Sequence, residues 1–331
     1  MNFWRTRDLN KKHAKDMKRR TLDVGLTVLC VWMSQVSSGN EPPLSSAPPA
    51  HRIVEHEGLA LLNRSGTVAL DLKSKRLFIS SEVVLREGFL EMLACLKQTK
   101  EHESLLAVDA TAQVIHAGLV SLGANVGSPA TFVPQYQAAT GQQIDIFLTW
   151  KDSAGKSHRD PAQSWVRHAT RRYFVEAVAE PPKNFSVPPD EELKWDEKHN
   201  EVLWFGHMSE SRRDGLLQFN ADATFQKVIR RLFQQSQIRQ LEGHWVFTGS
   251  QFATDDKTGQ KYYLAESGDL ICVANFATAT LDLAIESSAT NDTLMFEAFT
   301  ERIPPLGTNV TIELVPSFPK LEEGLPAEKP K

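Results

Sequence analysis

Alternation of apolar and polar side chains runs through most of the chain after residue 60 and predicts many β-strands. Residues 67–72 alternate in this way, and residues 75–85 repeat the pattern after a lysine-flanked turn, so the two segments predict a hairpin. Residues 142–152 place four apolar side chains on one face before a Ser-Ala-Gly-Lys turn. Short apolar runs from 244 to 316, separated by Gly-, Asp- and Pro-containing turns, predict further strands.

Helical spacing occurs in two segments. Residues 112–122 repeat apolar side chains every three to four positions, with Asp109 or Thr111 as the N-cap and a glycine after the segment. Residues 222–243 show the strongest helical pattern and also end at a glycine. We expect this second helix to pack on a sheet formed by the strands that follow it.

These elements predict an α+β fold dominated by mixed or antiparallel sheets, because runs of strands with few helices disfavour a doubly wound parallel architecture. A Pro- and charge-rich stretch interrupts the pattern and is typical of an insertion or linker. The predicted organisation is an export signal (1–39), a Pro/Ser-rich spacer (40–52), an α+β body (53–180), a polar insertion (181–215), a β-rich C-terminal part of the same structural unit (216–318) and a flexible tail (319–331).

Charge is distributed unevenly along the 331 residues. The first twenty residues carry eight Lys/Arg and two Asp, although the formal net charge of the chain is −4. A basic start followed by the short apolar run 24–39 is typical of a secretory signal, the alternative being an uncleaved membrane anchor. We therefore expect an exported, periplasmic or cell-envelope protein. The acidic remainder argues against a nucleic-acid partner, which would need a basic surface.

Two cysteines, Cys95 and Cys272, follow the predicted signal. An oxidising compartment would permit one disulfide between them, and the alternative is two separate buried thiols on strands. Two cysteines are too few for an iron–sulfur cluster or a four-cysteine zinc site, so neither is expected.

Standard catalytic motifs are missing from the sequence: it contains no Walker loop, GxGxxG, GxSxG, HExxH or EF-hand loop. The most polar candidate lies around His102 and Glu103, just before an apolar run, with Asp109 and His116 close behind. Imidazole and carboxylate groups of this kind bind a divalent metal or serve in acid–base catalysis near neutral pH.

A structural role explains the same residues equally well. His102 and Glu103 would then satisfy backbone groups in a loop, and Asp109 would be an N-cap. Adjacent strand residues point to opposite faces, so His102 and Glu103 face one pocket only if they lie in a loop. Ser104 lacks the glycine-framed turn that presents a nucleophilic serine.

A second candidate is the segment from Trp245 to Phe252. Its aromatic side chains alternate except at Gly249 and Ser250, which predicts a core strand interrupted by a bulge. The alternative is a ligand site, in which a ligand approaches the bare backbone of Gly249 and Ser250 donates a hydrogen bond.

Four stretches, KEHESLL, IHAGLVSLGA, WVFTGSQF and IPPLGT, together resemble the YdjY domain family over about residues 65–316. This family comprises uncharacterised bacterial proteins that are abundant as exported proteins in planctomycetes. The resemblance implies no established reaction, and the ferredoxin-like label given to some members needs cysteines that this chain lacks. The residues that match the family pattern are His102, Glu103, Ser104, Trp245, Gly249 and Ser250.

Two classes of function remain open at this point. The first is an exported, non-catalytic module that binds a small ligand or an exported or envelope protein. The second is a metal-dependent or acid–base enzyme centred on His102 and Glu103. Contact with a membrane is expected only through the N-terminal segment, if that segment is uncleaved.

Overall fold

The structure is a computed structural model that describes residues 52–53, 58–183, 185–285 and 295–318. The predicted export signal, all but the last residue of the spacer, and the C-terminal tail lie outside the described residues. The described residues form two compact units, of which the smaller is residues 169–238 and the larger contains the other described residues. The predicted polar insertion, 181–215, falls within the smaller unit, and the domain boundaries predicted from sequence stay a prediction.

Nineteen strands and three α-helices are found in the described residues, so the fold is α+β and dominated by strands, as predicted. The strands are β1 (Leu59–Leu61), β2 (Val68–Asp71), β3 (Arg76–Val83), β4 (Phe89–Leu90), β5 (Met92–Leu96), β6 (Ser104–Val108), β7 (Gln142–Lys151), β8 (Ser157–Pro161), β9 (Val166–His168), β10 (Tyr173–Ala177), β11 (Leu193–Asp196), β12 (Glu201–Phe205), β13 (Trp245–Phe247), β14 (Phe252–Thr254), β15 (Lys261–Tyr263), β16 (Ile271–Cys272), β17 (Leu281–Leu283), β18 (Phe296–Ala298) and β19 (Asn309–Pro316). The α-helices are α1 (Ala112–Ser121), α2 (Glu210–Phe219) and α3 (Ala223–Gln235). The 3-10 turns are Glu101–Glu103, Ala162–Trp165, Leu264–Ser267 and Thr300–Arg302.

Most of the larger unit is one sheet whose strands close into a ring. The order β3-β19-β7-β13-β17-β16-β5-β6 returns to β3 through an additional β3–β6 pairing, so eight strands form a closed circuit. Strands β1 and β2 extend the sheet from β3, and β8 pairs with β7. The pairs β5–β6 and β16–β17 are parallel, whereas the other described pairs are antiparallel. The sheet is therefore mixed, as the sequence predicted.

The alternating pattern explains where the core lies. Ile144, Ile146 and Leu148 of β7 are fully buried or nearly so, while the residues between them are only partly buried. The predicted hairpin is confirmed as β2 paired antiparallel with β3. Inward-facing side chains of the ring strands and of α1 form one apolar core. That core holds the ends of the strands, and the polar side chains on them, in fixed positions.

In the smaller unit, α3 packs on the sheet β10-β12-β11 through an apolar face. The sequence predicted this helix correctly but assigned it to the wrong sheet and ended it too late. The helix stops at Gln235, with Ser236 as its C-cap, instead of continuing to residue 243. Helical spacing identifies an apolar face but carries no information about which of several sheets covers it.

Both remaining cysteines are free thiols buried in one small apolar cluster, Cys95 on β5 and Cys272 on β16. Burial raises the pKa of each thiol, which keeps both protonated at neutral pH. The structure therefore contains two separate buried thiols and not the disulfide.

Candidate functional site

His102 and Glu103 lie in the connection between the parallel strands β5 and β6. The 3-10 turn Glu101–Glu103 forms the end of this connection, so the two residues are not yet part of the strand. His102 exposes 77% of its side chain, and its Nε2 atom lies 3.8 Å from Oε2 of Glu103. The turn thus provides the loop geometry that contact between neighbouring residues requires.

Lys100, in the same connection, joins this pair to a buried aspartate. Its ammonium group lies 2.7 Å from Oδ1 of Asp269 and 3.9 Å from Oε1 of Glu103. Burial, followed by repulsion from Glu103, raises the pKa of Glu91. Two carboxylates, those of Glu103 and Asp269, therefore lie within 4 Å of the ammonium group, and the nearby Glu91 holds its proton more strongly than usual.

Asp109 does not join this cluster. Its side chain is exposed beyond the end of β6, and its backbone carbonyl accepts a hydrogen bond from Oγ1 of Thr67 at 2.7 Å. The N-cap of α1 is Thr111, which settles the alternative left open by the sequence. A second cap comes from Glu266, whose carboxylate accepts hydrogen bonds from the first backbone N–H groups of the helix.

His116, on α1, is half-buried and has different neighbours. Its Nδ1 atom lies 2.9 Å from the hydroxyl of Tyr263, and this hydroxyl donates to the carbonyl of Gly249 at 2.8 Å. A tyrosine hydroxyl has one proton, and the carbonyl can only accept it, so Nδ1 of His116 must be the donor to the tyrosine oxygen. The neutral ring then presents Nε2 as a hydrogen-bond acceptor, and Nε2 has no hydrogen-bond partner in the described part of the chain.

Burial lowers the pKa of His116, against a smaller opposite effect of the Gly249 carbonyl. Burial also raises the pKa of Tyr263 to about 12. At neutral pH the pair therefore consists of an uncharged imidazole and an uncharged phenol, and neither ring carries a proton that leaves easily.

Gly249 and Ser250 form the break between β13 and β14. Gly249 has a φ of +78°, and a Cβ atom there would stand 2.2 Å from Cγ1 of Val126 and 3.3 Å from Cε1 of His116. The space beside the bare backbone is therefore filled by two side chains of the protein. Ser250 donates through its hydroxyl to the carbonyl of Thr278 at 2.6 Å.

Trp245, the third candidate residue between Trp245 and Phe252, belongs to the core. It is fully buried on β13, and its indole N–H donates to the carbonyl of Cys272 at 2.8 Å. This hydrogen bond satisfies the only polar atom of the side chain, so the geometry gives Trp245 a packing role.

Exposed apolar side chains surround the His116–Tyr263 pair. Phe252 exposes 63% of its surface although its ring lies 5.1 Å from that of Tyr263. Val126 and Val120 are also exposed, Val120 one helical turn beyond His116. We call the group His116, Tyr263, Gly249, Ser250, Phe252 and Val126 the imidazole site.

A series of polar contacts within the larger unit connects the His102–Glu103 pair and its neighbour Lys100 to the imidazole site. Lys100 pairs with Asp269, and Asp269 accepts a hydrogen bond from the hydroxyl of Thr278. The backbone carbonyl of Thr278 in turn accepts from Ser250. His102 and His116 do not contact each other, so the structure links these two candidate residues only indirectly.

Metal ligands need convergence of several side chains on one point. Within the described ranges, no group of three or more His, Cys, Asp or Glu side chains has the arrangement to hold a metal ion. The divalent metal at His102, Glu103, Asp109 and His116 therefore gains no support from the geometry of these residues.

Tyr263, Lys100 and Asp269 complete these arrangements, and the sequence analysis did not identify them. Tyr263 occupies a short strand-like run, and Asp269 a turn, so both match ordinary structural positions. The pattern of a strand predicts only that such a tyrosine is buried. The hydrogen-bond partner of its hydroxyl depends on which helix packs over the strand.

The family model for the YdjY domain matches residues 68–174 and 218–315, which together cover more than half of the chain. The chain belongs to the YdjY domain family. Both parts of the imidazole site, α1 and the segment around Gly249, lie within the matched residues of this YdjY domain. The unmatched residues 175–217 fall in the smaller unit.

No curated protein and no solved structure gives a significant match to the chain. Among the residues with described structure, every helix is too short or too polar to span a bilayer. The family assignment of this YdjY domain therefore identifies neither a reaction nor a ligand.

The imidazole of His116 should titrate below its usual pKa near 6.5, because burial disfavours the charged ring. The unfolded chain then binds more protons than the native chain just below pH 6.5, so the stability contributed by neutral His116 is complete above pH 6.5 and is lost as the pH falls through the native pKa. Histidine NMR titration of the wild type and of His116→Gln checks this. A titration of the His116 resonance above pH 6.5 would contradict it.

Proposed function

We propose that this chain is an exported, non-catalytic binding module whose ligand site is the imidazole site. The observation that carries the proposal is the unpaired Nε2 of a neutral His116, held in place by Tyr263 and bordered by the exposed Phe252. The ligand this chemistry recognises has an apolar or aromatic body and one hydrogen-bond donor, and it is either a small molecule or a group on a partner protein.

Binding fits these residues better than catalysis does. Acid–base catalysis needs a group that gives or takes a proton near neutral pH, and Tyr263, with a pKa of about 12, does neither. His116 has no carboxylate partner among the described residues that would strengthen it as a base. A fixed acceptor beside exposed apolar surface is, in contrast, sufficient for recognition.

Export is proposed from the sequence. The basic start, the apolar run 24–39 and the Pro/Ser-rich spacer follow the order expected of a signal and a tether. A periplasmic or envelope location, and the planctomycete type of source, belong to the same proposal.

The second candidate is the acid–base or metal-dependent enzyme centred on His102 and Glu103. One observation favours it: Glu91, beside Glu103 and Lys100, has a raised pKa, as a general acid requires. This candidate predicts metal or activity that depends on His102, whereas the binding module does not.

Phenol is a suitable probe of the imidazole site, because it combines one donor with an aromatic ring. We expect NMR titration with phenol to shift the resonances of His116 and Phe252 saturably. His116→Phe keeps a ring but removes the acceptor, and Phe252→Ser removes the apolar surface; each should weaken phenol binding at least about tenfold, since one hydrogen bond or one buried ring contributes about 1.4 kcal/mol or more.

The controls are His102→Gln and Phe89→Ser, which change an exposed histidine and an exposed phenylalanine outside the imidazole site. Both should leave phenol binding unchanged. Equal phenol affinity in wild type, His116→Phe and Phe252→Ser would overturn the proposed site. Stoichiometric metal in purified wild type that is lost in His102→Ala would favour the enzyme instead.

A further inference from the structure

β14 and β15 form a two-stranded ribbon that leads away from Gly249 and Ser250. The backbone N–H groups of Leu264 and Asp255 donate across the ribbon to Gln251 and Gln260, which fixes the hydrogen-bonded pairs at its two ends. Because such pairs alternate in an antiparallel ladder, the Phe252–Tyr263 and Thr254–Lys261 pairs are non-hydrogen-bonded ones.

At non-hydrogen-bonded positions the backbone N–H and C=O groups point away from the partner strand. The N–H and C=O groups of Phe252 and Thr254 therefore face outward from β14, and they make no hydrogen bond to any other described residue. Both residues are exposed. On the opposite edge Tyr263 is buried, so the accessible edge next to the imidazole site is that of β14.

This open edge lies close to His116. A Cβ atom at Gly249 would stand 3.3 Å from Cε1 of His116, and Gly249 precedes Phe252 by three residues, a span of at most about 11 Å in an extended chain. An extended peptide of three to four residues covers the same distance. One molecule can therefore reach both the edge of β14 and Nε2 of His116.

We infer that the ligand of the imidazole site is an extended peptide that adds as a strand to the outer edge of β14. The inference rests on the proposed function and names its partner class. Backbone groups of the peptide pair with Phe252 and Thr254, an apolar side chain lies on the ring of Phe252, and a side chain with a donor group reaches Nε2 of His116. Unpaired backbone donors and acceptors in a row are complementary to another extended backbone and to few other ligands.

The test uses a panel of acetylated, amidated hexapeptides of alternating Thr and Val that carry Ser, Tyr, Trp or Lys at one position. We expect at least one peptide to shift the amide resonances of Phe252 and Thr254 and the ring resonances of His116, saturably and at one common affinity. The same peptide with N-methyl groups on alternate amides loses its backbone donors and should bind at least about tenfold more weakly.

Two proline variants of the protein form a matched pair. Thr254→Pro removes an outward N–H from the β14 edge and should weaken peptide binding at least about tenfold, whereas Lys261→Pro removes the equivalent group from the other edge and should not. Cross-strand amide contacts between Ala253 and Tyr262 show whether the ribbon stays formed in each variant.

Strand addition is overturned if no peptide of the panel shifts these amides at millimolar concentration, or if the N-methylated peptide binds as well as its parent. The phenol titration distinguishes failure of strand addition at β14 from failure of the imidazole site. If phenol binds at His116 but no peptide binds at β14, only the peptide inference is overturned. If neither phenol nor a peptide binds, the imidazole site is overturned as well.

Discussion

Replacing Gly141 with alanine is expected to destabilise the protein by about 3–5 kcal/mol or to prevent folding, the range associated with severe single substitutions. Gly141 has a φ of +142°, and a Cβ atom there would stand 2.2 Å from the carbonyl oxygen of Phe247. That oxygen already accepts a hydrogen bond from the backbone N–H of Gly127 at 2.9 Å. The clash is between two backbones at the β7–β13 pairing, where no side chain can move aside to relieve it.

Gly155→Ala is the matched control, because Gly155 also has a positive φ, +79°, but has no atom within 4 Å of the added Cβ. It should cost only the conformational strain, about 1–2 kcal/mol. Urea unfolding of both variants measures the difference. Equal free energies of unfolding for Gly141→Ala and Gly155→Ala would show that the backbone approach at Phe247 relaxes at little cost.

Replacing Lys100 with methionine is expected to cost about 3 kcal/mol of stability, because it leaves the carboxylate of the almost fully buried Asp269 without its cation. The pKa of Lys100 is raised despite an opposing effect of burial, because its ammonium group hydrogen-bonds to Asp269. Lys97→Met provides the control: its partner Glu82 is only partly buried and lies 3.6 Å away, so this change should cost at most about 1 kcal/mol.

A double-mutant cycle isolates the pair. Asp269→Asn removes the negative charge, so adding Lys100→Met to it should cost much less than Lys100→Met alone. Chemical unfolding of the four proteins gives the coupling energy. Additive effects of the two substitutions would place the cost in packing of the lysine stem, and the ion pair would then have no stabilising role.

Much of the fold could be predicted from the pattern of side chains. The β2–β3 hairpin, the burial of alternate residues in β7 and helix α1 all follow from local periodicity, because a strand or helix at the surface of a core buries every second or every third to fourth residue. The bulge predicted at Gly249 and Ser250 was wrong in one respect: the chain breaks there, with φ of +78° and +51°, but β13 ends at Phe247 and the exposed Phe252 begins a strand of a separate two-stranded sheet.

The pairing of β5 with β6 could not be predicted in this way. Only seven residues separate the two strands, fewer than the dozen or so that usually connect parallel strands, yet the two strands are parallel. Gln98 adopts a φ of +64°, and the 3-10 turn Glu101–Glu103 returns the chain to the starting level of β5. This return brings Lys100 next to Asp269, a contact between residues far apart in the sequence that local patterns do not encode.

For the candidate site, the sequence analysis named His116, Gly249 and Ser250 but assigned them to different groups. The structure joins them through Tyr263, which comes from a ribbon whose sequence indicates only a short strand. His102 and Glu103 precede His116 by only a few residues, but the connection between β5 and β6 places them beside Lys100. Only the polar contacts of Lys100 with Asp269, and of Asp269 with Thr278, lead from there towards the imidazole site. These residues are close in the sequence but not in space, because β6 and the start of α1 lie between Glu103 and His116.

By itself, then, the sequence determined the class of fold, the strands with clear alternation, two helices, the missing catalytic motifs and the residue types able to form a polar site. These properties depend on neighbours within a few positions. The tertiary structure alone decided that eight strands close into a ring, that α3 belongs to the smaller unit, and that Tyr263 holds His116 in one tautomer beside an open strand edge. Such contacts join residues as far apart as Ser81 and Val310, which are 229 positions apart in the sequence, and only the packing of the core in each unit brings them together.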